Sequence, residues 1–122
     1  MTRRSIPVVC ALLSIALLAG PRLATAQKLS DAELKKLSTS ATTAADHKKL
    51  AAHYRAHATE HEADATLHED IVTAARKQDQ SSGHAWELAR GAAHYAEHSR
   101  EAAEALRELA ALHEGMAETA KK

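Results

Sequence analysis

The sequence predicts an all-α protein. Its expected core is an antiparallel helical hairpin of two long helices, with a short N-terminal helix, and two hairpins pair into a four-helix bundle. Three observations carry this expectation. Alanine fills 24 of the 96 residues after Ala26, and no residue favours helix more. Apolar and histidine residues recur at three- and four-residue intervals over two long stretches, as on one face of a helix. One polar, non-periodic segment, Gln78-Asp79-Gln80-Ser81-Ser82-Gly83, separates those stretches and reads as the turn, at about 78–83.

Residues 1–26 read as a cleavable signal peptide. Arg3 and Arg4 precede an apolar run from Ile6 to Ala19, Gly20-Pro21 breaks it, and Ala24-Thr25-Ala26 supplies a small-x-small cleavage site before Gln27. The run falls short of the roughly 18 apolar residues that a spanning helix needs. The expectation is therefore a periplasmic or secreted protein with no stable membrane anchor after cleavage. The only cysteine, Cys10, leaves with the signal. The mature chain then has no disulfide, no thiolate metal site and no covalent haem attachment.

Residues 27–42 are expected to form a short helix and linker. Ser30 and Glu33 make a capping box ahead of Leu34 and Leu37. The hydroxyl-rich run Ser38-Thr39-Ser40-Ala41-Thr42-Thr43 should interrupt that helix, because such side chains compete for backbone hydrogen bonds. The hairpin domain covers 43–120. Thr43 and Asp46 offer a second capping box, opening a helix that runs to about Lys77 without Gly or Pro. Its inward stripe reads His47, Ala51, Tyr54, Ala58, His61, Ala65, His68, Val72 and Ala75. The last helix, from about His84 to Ala120, is expected to bury Leu88, Ala92, Tyr95, Ser99, Ala102, Leu106, Leu109, His113 and Met116. A lone hairpin seamed with alanine buries little area, so either the short first helix folds back on it or two hairpins pair, and of the two a homodimer is the expectation preferred.

Ala51-Ala52-His53-Tyr54-x-x-His57 recurs as Ala92-Ala93-His94-Tyr95-x-x-His98. Duplication of an ancestral helix and convergence in an Ala/His/Glu-rich chain both account for this repeat. The runs Asp46-His47-x-x-Leu50-Ala51-x-His53-Tyr54 and Leu109-Ala110-x-x-His113-x-x-Met116-Ala117 resemble those of a group of small exported bacterial proteins. What the resemblance implies is a signal peptide and a His-bearing helical hairpin; that group has no assigned function.

Charge narrows the functional classes. Removing the signal takes away three arginines and no acids, leaving 13 Lys and Arg against 16 Asp and Glu, a net of −3. These charges are intermixed, which argues against nucleic-acid binding and against strong attraction to anionic lipid. No enzyme activity is expected. Ser81-Ser82-Gly83-His84 is not a nucleophile elbow, and neither His68-Glu69 nor His113-Glu114 has the spacing of zinc proteases.

The nine histidines, all beyond Gln27, demand an account. Imidazoles four residues apart share a helix face and can chelate one divalent ion; His53/His57, His57/His61 and His94/His98 have that spacing. With the turn centred near Ser81, His68 falls opposite His94 and Asp64 opposite His98, with His61 one turn away. The expected metal ligands are therefore His61, Asp64, His68, His94 and His98. Such N/O donors suit zinc, nickel or copper(II), and not calcium or magnesium. The secondary candidates are His53 and His57 and, at the far end of the hairpin where the same rule places His47 near Met116 and His113, those three residues. A His/Met set could also ligate haem, but so few large apolar residues make a poor porphyrin pocket.

Two alternatives stand beside metal binding. Histidine titrates in the range an exported protein meets, and protonating all nine moves the net charge from −3 to +6, so the chain could be a pH-responsive periplasmic chaperone. It could also be a non-catalytic helical interaction module.

Overall fold

The structure, a computed structural model, describes residues 28–78, 81 and 83–121. The expected signal peptide, residues 1–26, lies outside the described residues. So do Asp79, Gln80 and Ser82 of the expected turn. Three helices form in order: α1 (Asp31–Ser40), α2 (Ala44–Arg76) and α3 (Gly83–Thr119), with no strand among the described residues. The long helices α2 and α3 pack along their lengths, and α1 lies against α2 alone. None of the described helices is long and apolar enough to cross a membrane.

Both capping boxes form. Ser30 Oγ accepts from the Glu33 N–H while the Ser30 N–H donates to the Glu33 carboxylate, and Thr43 and Asp46 repeat the arrangement at the start of α2. The hydroxyl-rich run does not stop α1 at Ser38 as expected. Thr39 and Ser40 donate to the carbonyls of Lys35 and Lys36, so their hydroxyls are satisfied within the helix. The break falls at Ala41, where the backbone is extended.

The α2–α3 seam is built on a strict seven-residue repeat, the pattern of an antiparallel coiled coil. In α2 one column is Ala44, Ala51, Ala58, Ala65 and Val72, and the next is His47, Tyr54, His61, His68 and Ala75. The stripe expected from the sequence is the seam observed, with its alanines and Val72 buried and its other members half-buried except for buried Ala75.

In α3 the seam differs from expectation. The buried column is Ala96, Ala103, Ala110 and Ala117, flanked by Ala85, Ala92 and Ser99. Leu88, Tyr95, Leu109 and Met116, expected inside, remain 39–49% exposed. One of the two expected columns is thus replaced by its neighbour one residue on, while the column of Ala92, Ser99, Leu106 and His113 stays, which turns the buried face by about 50° of helix. The physical reason is the partner: the facing α2 column is alanine, and small side chains on both sides let the backbones approach closely. Leucines there would hold the helices apart. Ser99, Leu106 and His113, also expected inside, are buried or half-buried on the adjacent column.

A row of ion pairs closes one edge of the seam. Arg55 binds Glu114 through two 2.7 Å hydrogen bonds, Glu62 meets Arg107, and Glu69 meets Arg100. The participants recur every seven residues on both helices and are 41–59% exposed, so each pair contributes at most about 1 kcal/mol. On the opposite edge no such pair joins α2 to α3 among the described residues, and that edge carries Ile71, Leu88, Tyr95, Leu109 and Met116. There α1 covers the first half of α2: Leu50 is fully buried, the largest side chain that is. A 2.7 Å ion pair from Lys28 to Glu60 and a bond from the Leu29 backbone to His53 anchor the approach to α1.

Candidate metal centre

Sequence level along the hairpin does not by itself bring histidines together, because the face each occupies also decides. The five expected ligands, His61, Asp64, His68, His94 and His98, are not gathered into one centre. His61 is half-buried in the seam. His68 donates from Nδ1 to the carbonyl oxygen of Asp64 at 2.8 Å, and its ring packs on Tyr95 with centroids 4.1 Å apart. The expected level across the hairpin is nearly right, since Tyr95 is next to His94. His94 and His98, however, point away from the seam on the exposed surface of α3. Among the described residues, no group of three or more His, Cys, Asp or Glu side chains is arranged to hold one metal ion.

What α3 does assemble is a pair of histidines with their ring nitrogens close together. One helical turn brings His94 Nε2 within 3.1 Å of His98 Nε2, and the rings meet edge to face at 4.3 Å. With metal–nitrogen bonds of about 2.05 Å, that separation subtends about 98° at a bound ion, between the square and tetrahedral angles. Behind the pair, Glu101 lies 3.1 Å from His98 Nδ1. A carboxylate there holds the proton on Nδ1 and leaves the Nε2 lone pair free, the arrangement that orients histidine ligands at metal sites. Without metal, His94 Nε2–H donates to His98 Nε2. A metal ion would take the place of that proton, which moves to His94 Nδ1 through solvent. Glu101 went unnoticed in the sequence, although its i,i+3 spacing from His98 was a readable signal.

The secondary residues fall into two places. At the open end of the hairpin His47 and His113 meet as expected, with Nδ1 atoms 3.1 Å apart and rings stacked at 5.4 Å. Tyr54 stacks on His113 at 5.7 Å. Met116, expected beside them, is 39% exposed. Burial, aided by the charge of His47, pushes His113 below its usual range.

His53 is buried under the chain that leads into α1. Its Nδ1 accepts the Leu29 N–H at 3.1 Å, so the ring must be neutral with its proton on Nε2. Burial first, then the charges of His57 and Lys28, push His53 below its ordinary value against the opposing Asp31 and Glu60. His57 touches the His53 ring at 4.5 Å and lies 3.8 Å from Glu60. His53 is thus a fastening for α1, and its bonded Nδ1 is not open to metal.

Comparison of the chain with known protein families, with curated proteins and with solved structures gives no match.

Proposed function

We propose that the protein acts after export, as a non-catalytic helical hairpin that binds a divalent transition metal ion through His94 and His98. Two hairpins are proposed to pair into a four-helix bundle in the periplasm or outside the cell. The observation that carries the metal reading is the 3.1 Å approach of two exposed Nε2 atoms. Glu101 behind His98 supports it, because an imidazole with its Nδ1–H engaged is already in the ligating tautomer. Zinc, nickel and copper(II) are the ions this donor set suits. A second reading, a response to acid, is favoured by the neutral His53 that fastens Leu29.

The test is a calorimetric titration of the metal-stripped protein with each ion, at pH 7.5 and 5.5. Saturable binding is expected at pH 7.5, weakened at least tenfold by His94→Ala or His98→Ala and at pH 5.5, where protonated imidazoles cannot ligate. His68→Ala should leave it unchanged, because that ring is committed to Asp64 and Tyr95. Absence of binding in the unmodified protein would refute the reading, as would loss of affinity in His68→Ala alone.

A further inference from the structure

A second seven-residue stripe runs along α3. Leu88, Tyr95, Ala102, Leu109 and Met116 form one column, and Gly91, His98, Ala105 and Leu112 the next. Its large members are 39–53% exposed, and among the described residues no helix covers it beyond the packing of His68 on Tyr95. The stripe is centred about 100° around α3 from the alanine seam, the angle of a corner in a square bundle of helices. Contiguous apolar surface of this length marks an interaction site.

Gly91 is the second observation. It stands in the middle of a long helix, where glycine is weaker than alanine. A side chain at its position would meet nothing within 4 Å, as at Gly115, and of these two glycines inside α3 only Gly91 lies on the stripe. A reason appears when the stripe meets its own reverse. Pairing two α3 helices antiparallel about the level of residue 100 sets Leu109 against Gly91, Tyr95 against Ala105 and Ala102 against His98. Large side chains thus face small ones through the middle of the pairing, with Leu88 against Leu112 toward each end, and each contact occurs twice by symmetry. Beside the stripe, the same register brings His94 to Glu108 of the partner subunit. Glu101 then meets its own copy near the axis, each carboxylate held by its His98 at 3.1 Å.

We infer that a second copy of the chain docks on this stripe, α3 antiparallel to α3, and that Glu108 of the partner subunit supplies the third ligand to the His94/His98 chelate. The inference rests on the pairing and metal binding proposed above and gives them a surface, a register and a shared site.

The test uses the full chain with Cys10→Ser. In EDTA, sedimentation equilibrium is expected to give twice the chain mass, and Leu109→Glu the single mass with unchanged helicity. A single mass for the unmodified chain overturns the docking whether or not metal binds. Tyr95→Cys combined with Ala105→Cys should oxidise to a covalent dimer. The two positions are about 15 Å apart along one helix, too far to close within a chain. Faster cross-linking by Tyr95→Cys with Leu112→Cys overturns the register. Glu108→Gln should weaken zinc binding at least fivefold without changing the mass. Unchanged zinc affinity, in a protein that does bind zinc, overturns the shared ligand.

Discussion

Mild acid should release α1 while leaving the middle of the α2–α3 seam paired. The perturbation is protonation of His53, whose Nδ1 accepts the Leu29 N–H. A second proton on the ring turns that acceptor into a donor facing another donor. Because burial holds the folded-state pKa below the ordinary value, the undocked state takes up protons first. The stability His53 contributes is therefore fully present above pH 6.5 and is lost as pH falls from there toward its depressed folded-state value. One buried hydrogen bond contributes about 0.5–1.5 kcal/mol, a factor of roughly 2 to 13 in the docking equilibrium of α1. The exposed Lys28–Glu60 pair adds at most about 1 kcal/mol, and α1 makes no contact with α3 to hold it otherwise. Amide hydrogen exchange between pH 7.5 and 5.0, divided by intrinsic rates, reads this directly. Protection of Leu34 and Leu37 should fall while that of Ala58 and Ala103 persists. In His53→Gln the side-chain oxygen can still accept from Leu29 and does not titrate, so α1 should stay protected in acid. Equal loss of α1 protection in both proteins would refute the reasoning.

Two further outcomes follow from the seam. Ala103→Leu, at a position 1% exposed between close backbones, should cost about 1–3 kcal/mol in urea unfolding, whereas Ala111→Leu on the exposed surface should change stability by less than about 0.5 kcal/mol. A double-mutant cycle on Glu62 and Arg107 should give a coupling below about 1 kcal/mol that shrinks further in 1 M salt, as exposed pairs do.

The parts of the fold legible in the sequence are those where chemistry is local. Ser30/Glu33 and Thr43/Asp46 announce helix starts because a cap and its reciprocal carboxylate lie three residues apart, wherever the helix later packs. The α2 seam is legible because its histidine and tyrosine column has no apolar competitor at the same spacing. On α3 two adjacent columns compete, and side-chain size points to Leu88, Tyr95, Leu109 and Met116. The outcome depends on how closely two backbones can approach, which is set by the opposing alanines of α2 and not by α3 alone. The candidate site inherits that difference. The pairing of His94 with His98 is a property of one helix and could be read. Bringing His61, Asp64 and His68 to them required His94 and His98 to face α2, and they lie on a part of α3 that neither the expected stripe nor the observed seam includes. The meeting of His47 with His113 survives because His113 belongs to the seam under either choice.

The row of ion pairs has a consequence beyond its small energy. Columns of identical alanines are nearly degenerate under translation: sliding α3 by seven residues again sets alanine against alanine. The charges along the edge are not periodic. Along α2 they run Arg55, Glu62, Glu69, Arg76, and along α3 in the opposite direction Glu114, Arg107, Arg100. A slip one way sets Arg55 against Arg107. A slip the other way sets Glu62 against Glu114 and Arg76 against Arg100. The observed alignment makes three pairs of opposite charge. The first slip leaves two (Lys48 with Glu114 and Glu62 with Arg100) and the second leaves one (Glu69 with Arg107). The edge therefore works as an error-detecting code for alanine columns whose own letters are nearly all the same.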